Sequence, residues 1–393
     1  QAYDLYLRAA AYLEWGLGPT ADDLRTGIGF LEEAVALDPE FALGFASLSQ
    51  ARSALYYVLR TNELQYAEQA RIDALHAIDL NPNLAKGHLA MGLYHYRSSL
   101  DYESALLALG VARRLAPRNA EILSWTGTIK KRQAKFDEAA ALLEVALSFD
   151  PRNLTILGEL AVVERCRGNY ALVLEYLDRS IAIKPSANAR EYRASHILTS
   201  TGDTRPMREF LSQAPESFRI REDWSELLEM EGDLEGAIGH RQTLVDSSTD
   251  DSQRASQLVK LARLYWLKGN HAESQRLAAM AIPKLGEADD WVNLIHLAMA
   301  HAISGQPQDV RLQIERALAT PRLQRDLLSR CRAQLVLAEV YVMNGDPAAA
   351  VRTLKERLRV TQEVSAKNLM MRPIFNSLHE REDFKALGDA TKP

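Results

Sequence analysis

The sequence is short of the residues that build small secreted or chemically armed folds. Only two cysteines, Cys166 and Cys331, occur in 393 residues. They lie far apart in the chain, which removes any sign of a disulfide framework and reads best as two unpaired, mostly buried thiols. With 14 prolines and 20 glycines, the chain has neither the linker-rich nor the low-complexity composition of a disordered protein. No apolar run approaches the roughly 18 residues needed to span a bilayer, so direct membrane insertion is not expected. No signal peptide is visible. The chain opens at Gln1 straight into a helical pattern and reads as a piece of a longer protein or as a processed one. A net charge of −5 argues against a nucleic-acid partner, which would ask for a basic excess.

Catalytic and cofactor signatures are missing as well. No phosphate-cradling Gly-x-x-x-x-Gly-Lys-Ser/Thr occurs, and Gly27-Ile28-Gly29 lacks the third glycine of a dinucleotide turn. Cys-x-x-Cys, His-Glu-x-x-His, calcium-loop and Gly-x-Ser-x-Gly spacings are absent too. The expectation is therefore a protein without enzyme activity, cofactor or metal. His88 and His95 share a helical face, but no further ligand is evident and both read as structural. Glu222, Glu226, Glu229 and Glu231 suggest first a solvated face, next a groove for a basic partner, and last a general acid/base pair. The basic run Lys130-Lys131-Arg132 with Lys135 reads as a solvated helix end or as part of a groove.

What is present is a ladder. Pro39, Pro82, Pro117, Pro151 and Pro185 each follow an apolar helix-forming run, at steps of 43, 35, 34 and 34 residues. Proline cannot continue a helix and pushes the residue before it out of the α region, so each one ends the second helix of a pair. Five residues ahead stand Ala34, Ala77, Ala112, Ala146 and Ser180, and twelve ahead stand Gly27, Ala70, Ala105, Ala139 and Val173. These share a helical face and let neighbouring helices approach closely. A second ladder runs through Gly168, Gly202, Gly232, Gly269, Gly305 and Gly345, where a left-handed residue would end each first helix. Asn119 and Asn153 are placed to cap helices.

The motif set His88, Met91-Gly92, His95, Ala105, Leu109, Ala112, Pro117 and its successor Leu123, Thr126-Gly127, Lys130, Ala139, Leu143, Ala146, Pro151 resembles the tetratricopeptide repeat family. Later first helices match through Leu258, Leu261-Ala262, Tyr265, through Leu294, Leu297-Ala298, His301 and through Leu337-Ala338, Tyr341. The resemblance covers about 350 residues, is most specific over 66–185 and weakens over 186–250, where Pro206 and Pro215 bracket a short second helix. Insertions are expected around Trp15–Thr20, with Thr20 as a cap, and around Leu55–Gln65. The opening Tyr3–Arg8 and the ending Phe375–Leu387 are similar to the C-terminal repeat segments of bacterial signalling proteins, which follow a cyclase, kinase or winged-helix domain.

The resemblance implies an all-α fold, an α-solenoid superhelix of about ten antiparallel hairpins. Residues 1–190 would form an N-terminal array, 191–362 a divergent continuation and 363–393 a capping helix and tail. It further implies a protein-interaction scaffold that takes a protein or peptide in a concave groove, in the cytoplasm, or in the periplasm if a membrane segment lies upstream in the parent. A homo-dimerising module for a fused output domain is the alternative. First-helix positions that line the groove in this family correspond here to Tyr96, Arg97, Lys131, Arg132, Arg165, Tyr192, His196, Arg263 and Trp266, a mixture of aromatic and basic types that makes an extended acidic peptide the expected occupant of the first half. Several of these could instead pack against neighbouring helices. The carboxylate clamp of chaperone-tail receptors is not expected, because Leu89, Leu93, Ser124 and Thr128 occupy its positions.

Overall fold

The computed structural model describes residues 1–13, 20–59, 64–215 and 221–389. The insertion expected at Trp15–Thr20 falls outside the described residues except for Thr20, and part of that at Leu55–Gln65 does too. Every regular element among the described residues is helical. The helices pack in antiparallel pairs, and the chain divides into two compact units, 1–163 and 164–393. The division lies within one helix.

In residues 1–163 the pairs are α1 (Ala2–Tyr12) with α2 (Ala21–Leu37), α3 (Ala42–Leu59) with α4 (Leu64–Leu80), α5 (Ala85–Tyr94) with α6 (Tyr102–Leu115), and α7 (Ala120–Arg132) with α8 (Phe136–Phe149). The first part of α9 (Leu154–Arg167) completes the unit. Thr20 caps α2 in a reciprocal capping box with Asp23, and Asn119 Oδ1 accepts the Ile122 N–H at 3.1 Å at the start of α7. The small-residue ladder is the packing device. A Cβ on Gly127 would lie 2.8 Å from Leu143 Cγ and 3.2 Å from the Ala139 carbonyl, so α7 and α8 touch through their smallest residues.

Residues 164–393 continue with α10 (Tyr170–Ile183), then α11 (Ala187–Thr201) with α12 (Arg205–Gln213), α13 (Glu222–Met230) with α14 (Leu234–Ser247), α15 (Asp251–Leu267) with α16 (His271–Leu285), and α17 (Trp291–Ile303) with α18 (Pro307–Ala319). After the short α19 (Pro321–Arg325) come α20 (Leu327–Met343) with α21 (Pro347–Val360), α22 (Ala366–Met371), a 3-10 turn over Pro373–Leu378, and α23 (Glu382–Asp389). One elongated apolar core runs from Leu228 to Leu387 and ends on the buried Phe375 and Phe384.

All six glycines of the second ladder hold the left-handed backbone, with φ between 69° and 83°. The same turn is made in residues 1–163 without glycine. Leu100 (φ 52°) and Ala134 (φ 58°) take the position, in step with Gly168 and Gly202 at intervals of 34 residues. Ahead of Leu100 the helix widens into a π turn over His95–Ser99.

The unit 164–393 also contains a return that the repeat pattern gave no hint of. The segment after α21 reaches back to the unit's first helices. Gln362 N–H donates to the Cys166 carbonyl at 2.9 Å, Tyr170 O–H donates to the Gln362 carbonyl at 2.9 Å, and Ser365 N–H donates to the Thr199 carbonyl at 3.3 Å. Asn368 Nδ2 donates to the Leu198 carbonyl at 3.2 Å. The stack in this unit is thus closed on itself by residues 362–368.

Candidate functional site

The expected groove residues of 1–163 come together as one aromatic and basic cluster. The Tyr96 ring lies 5.7 Å from Trp125 and 5.9 Å from Tyr102, and its hydroxyl accepts from Arg132 Nε at 3.3 Å. The Arg97 guanidinium stacks 4.9 Å over Trp125 and donates to the Gln50 carbonyl at 3.0 Å and to Ser53 Oγ at 3.1 Å. Burial pushes that guanidinium down to about 10. Lys131 is buried in an ion pair with Glu159, to which Thr128 Oγ1 donates at 2.9 Å. Tyr96, Arg97 and Lys131 are buried, whereas Arg132 is half-buried. The basic run 130–132 is therefore not a freely solvated helix end at Lys131, and Leu89 and Leu93 are core residues.

In 164–393 the site is a cavity of about 580 Å³, within the size range of small-ligand pockets. Two of the expected residues, Arg165 and Arg263, line it. Arg263 on α15 donates to Glu229 of α13 at 2.7 and 3.0 Å and to Glu339 of α20 at 2.6 Å. Burial works against its charge, but the two carboxylates outweigh it and hold the guanidinium protonated. Arg165 donates to Glu363 at 2.7 Å, and Arg332 of α20 reaches the same carboxylate at 2.7 Å. Burial opposes the charge of Glu363, but Arg165 and Arg332 pull its carboxyl down to about 2. Glu363 sits on the return segment, so the closure of the stack places one wall of the cavity.

Tyr192 lies beside the cavity, with the Arg165 guanidinium 5.3 Å from its ring centre. His196 is buried, 5.6 Å from the Tyr170 ring, and burial together with Arg165 lowers it to about 4. Trp266 is half-buried against His271 and is not among the residues lining the cavity. The acidic cluster is not one solvated face. Glu229 is buried on Arg263, Glu222 pairs with Lys260 at 2.6 Å, Glu231 pairs with Arg208, and Glu226 is exposed.

Sequence reading missed Arg241, Lys260, His296, Arg332, Arg357 and Arg372, all of which line the cavity. Arg332 and Glu339 stand seven residues apart on α20, the spacing of one helical face, which was the available signal. Burial, with Lys260 adding to it, lowers His296 to about 3, leaving it a neutral ring. Among the described residues no group of His, Cys, Asp and Glu is arranged to hold a metal ion, and no helix is long and apolar enough to cross a membrane.

Stacked antiparallel hairpins, with a left-handed residue at the turn of each pair from α5–α6 onward, define an all-α solenoid of the tetratricopeptide type. Solved structures similar to the chain are of that kind. A thermophilic tetratricopeptide-repeat protein from Thermus thermophilus is 18% identical over 50% of this chain and 100% of its own, with a TM-score of 0.42. PilW, a type IV pilus biogenesis factor, is 18% identical over 55% of this chain and 93% of its own, also at 0.42. The human IFIT1 dimer with PPP-AAAA is 16% identical over 76% of this chain and 68% of its own, at 0.50. At such identities the likeness is one of fold. No family model matches the chain, and no curated protein does.

Proposed function

We propose that this chain is a non-catalytic scaffold that holds a protein or peptide against the inner faces of its helical stacks. The observation that carries the reading is the 580 Å³ cavity in 164–393, lined by Arg165 and Arg263 at first-helix positions of the repeat. In 1–163 the half-buried Arg132, beside the buried Tyr96, Arg97 and Lys131, is the member of the cluster that a partner can reach, and in the other unit the half-buried Tyr192 flanks Arg165. Such aromatic and arginine side chains carry most of the binding energy at protein interfaces. The short likenesses at Tyr3–Arg8 and Phe375–Leu387 support a place in a bacterial regulatory protein acting in the cytoplasm. Binding of the purified chain to an arrayed peptide library tests the reading. Hits should weaken about tenfold on Arg132→Ala or Tyr192→Ala, both half-buried positions. Peptides that bind with no response to either change, or no hits at all, would overturn it.

Self-association is the second reading. It is favoured by α1, where Tyr3, Leu7 and Tyr12 are 58%, 50% and 41% exposed. Light scattering over a concentration series decides it, a monomer at every concentration being the result against.

A further inference from the structure

The cavity in 164–393 holds more cationic groups than carboxylates to meet them. Seven arginine and lysine side chains line it against four glutamates, and Glu222, just behind Lys260, makes five. Four of the five carboxylates are already engaged, Glu229 on Arg263, and the fifth, Glu226, is exposed. Glu363 serves Arg165 and Arg332, Glu339 serves Arg263 and stands 3.6 Å from Arg372, and Glu222 serves Lys260 and stands 3.7 Å from Arg241. Arg357 is left over. It is 1% exposed, donates to the Val364 carbonyl at 3.2 Å, keeps an Nε without a partner, and has no carboxylate at ion-pair distance among the described residues. Arg241, 4% exposed, likewise keeps an unpartnered Nε. Arginine does not shed its proton in a protein, so buried surplus charge of this kind is costly unless an anion meets it.

The same cavity is lined by Trp291, Ile295, Met299, Leu335 and Val336. Resting on the scaffold reading above, we propose that this cavity receives an acidic peptide segment. A carboxylate of the peptide meets the surplus cations around Arg357 and Arg241, and a neighbouring apolar side chain meets the Trp291 side. A nucleic-acid strand fits less well. It brings a negative charge with every nucleotide onto a lining that already holds four glutamates, and Trp291 and His296 supply only two rings for bases among the lining residues.

Fluorescence anisotropy with a labelled hexapeptide of alternating Glu and Leu, beside its Gln–Leu counterpart, tests the assignment on the full chain. The Glu probe should bind about tenfold or more tightly than the Gln probe and weaken as salt is raised. Arg332→Gln and Lys260→Met should each cost it about tenfold. Both side chains are partly exposed, and each leaves its glutamate another cationic neighbour, so the fold is expected to survive, as circular dichroism would show. Trp291→Ala should weaken both probes. Equal binding of the two probes, or a Glu probe indifferent to both charge variants, would overturn the proposal while leaving the scaffold reading intact. Displacement of the Glu probe by a hexauridine at lower concentration than by unlabelled peptide would replace the acidic peptide with RNA. Failure of every probe and every arrayed peptide would end both readings.

Discussion

Glu363 illustrates how much one side chain can carry in this molecule. It is 6% exposed and accepts from two arginines drawn from helices far apart in the chain. Its ordinary pKa of 4.5 falls to about 2 on folding. The stabilisation is therefore complete above about pH 4.5 and drains away as pH falls towards 2, a loss on the order of 3 kcal/mol. His196 acts over a higher window. Folded at about 4 and unfolded near 6.5, it takes up a proton in the unfolded chain first, so stability declines as pH falls from 6.5 to 4. Urea midpoints measured from pH 7 to 3 should show both declines. His196→Phe should flatten the upper one, and Glu363→Gln the lower one, at a cost of about 3 kcal/mol near neutrality from the uncompensated arginines. Ala134 offers the opposite case. A side chain held at φ 58° costs about 1 kcal/mol where glycine would cost nothing. Ala134→Gly should raise stability by roughly 0.5–1 kcal/mol in a urea titration. Gly202→Ala should lower it by more, because its Cβ would run into the Met371 sulfur as well.

Among the elements, the hairpin is the unit whose design is written locally. Proline at the end of a second helix, a left-handed residue at the end of a first, and small residues seven apart all act within one repeat. That is why the order of helix pairs was legible from the ladders alone. The left-handed turns at Leu100 and Ala134 escaped notice because the sequence signal there is glycine, and the backbone is imposed by the neighbouring helices instead. The cavity escaped for a different reason. Arg263 finds Glu339 across 76 residues and Arg165 finds Glu363 across 198, so no local pattern couples them. Arg165 and Arg263 could be placed on inner faces by repeat register, but their partners could not. The α7–α8 contact tests the local side of this account. Gly127→Ala inserts a methyl group 2.8 Å from Leu143 Cγ and should cost about 1–3 kcal/mol, read as a fall in the urea midpoint. The same change at Gly110, whose Cβ would meet nothing within 4 Å, should be neutral or stabilising.

At the scale of a whole unit, an open stack of hairpins and a closed one answer differently to damage at one end. In an open solenoid each hairpin is stabilised only by its neighbours, so loosening the last helices frays the array from that end inward. In 164–393 the last helices are also neighbours of the first. Phe375, buried in the terminal core, anchors the segment whose residues 362–368 hydrogen-bond to Cys166, Tyr170, Leu198 and Thr199. Phe375→Ala should cost about 3–5 kcal/mol by leaving a cavity in that core. Native-state hydrogen exchange should then show amides lost from protection in two places at once, over residues 320–389 and over residues 166–202. Loss confined to 320–389 would mean that the return segment merely lies against the start of the unit and does not hold it. Loss in both places would mean that the segment supplying Glu363 to the cavity wall also holds the first helices of the unit in place.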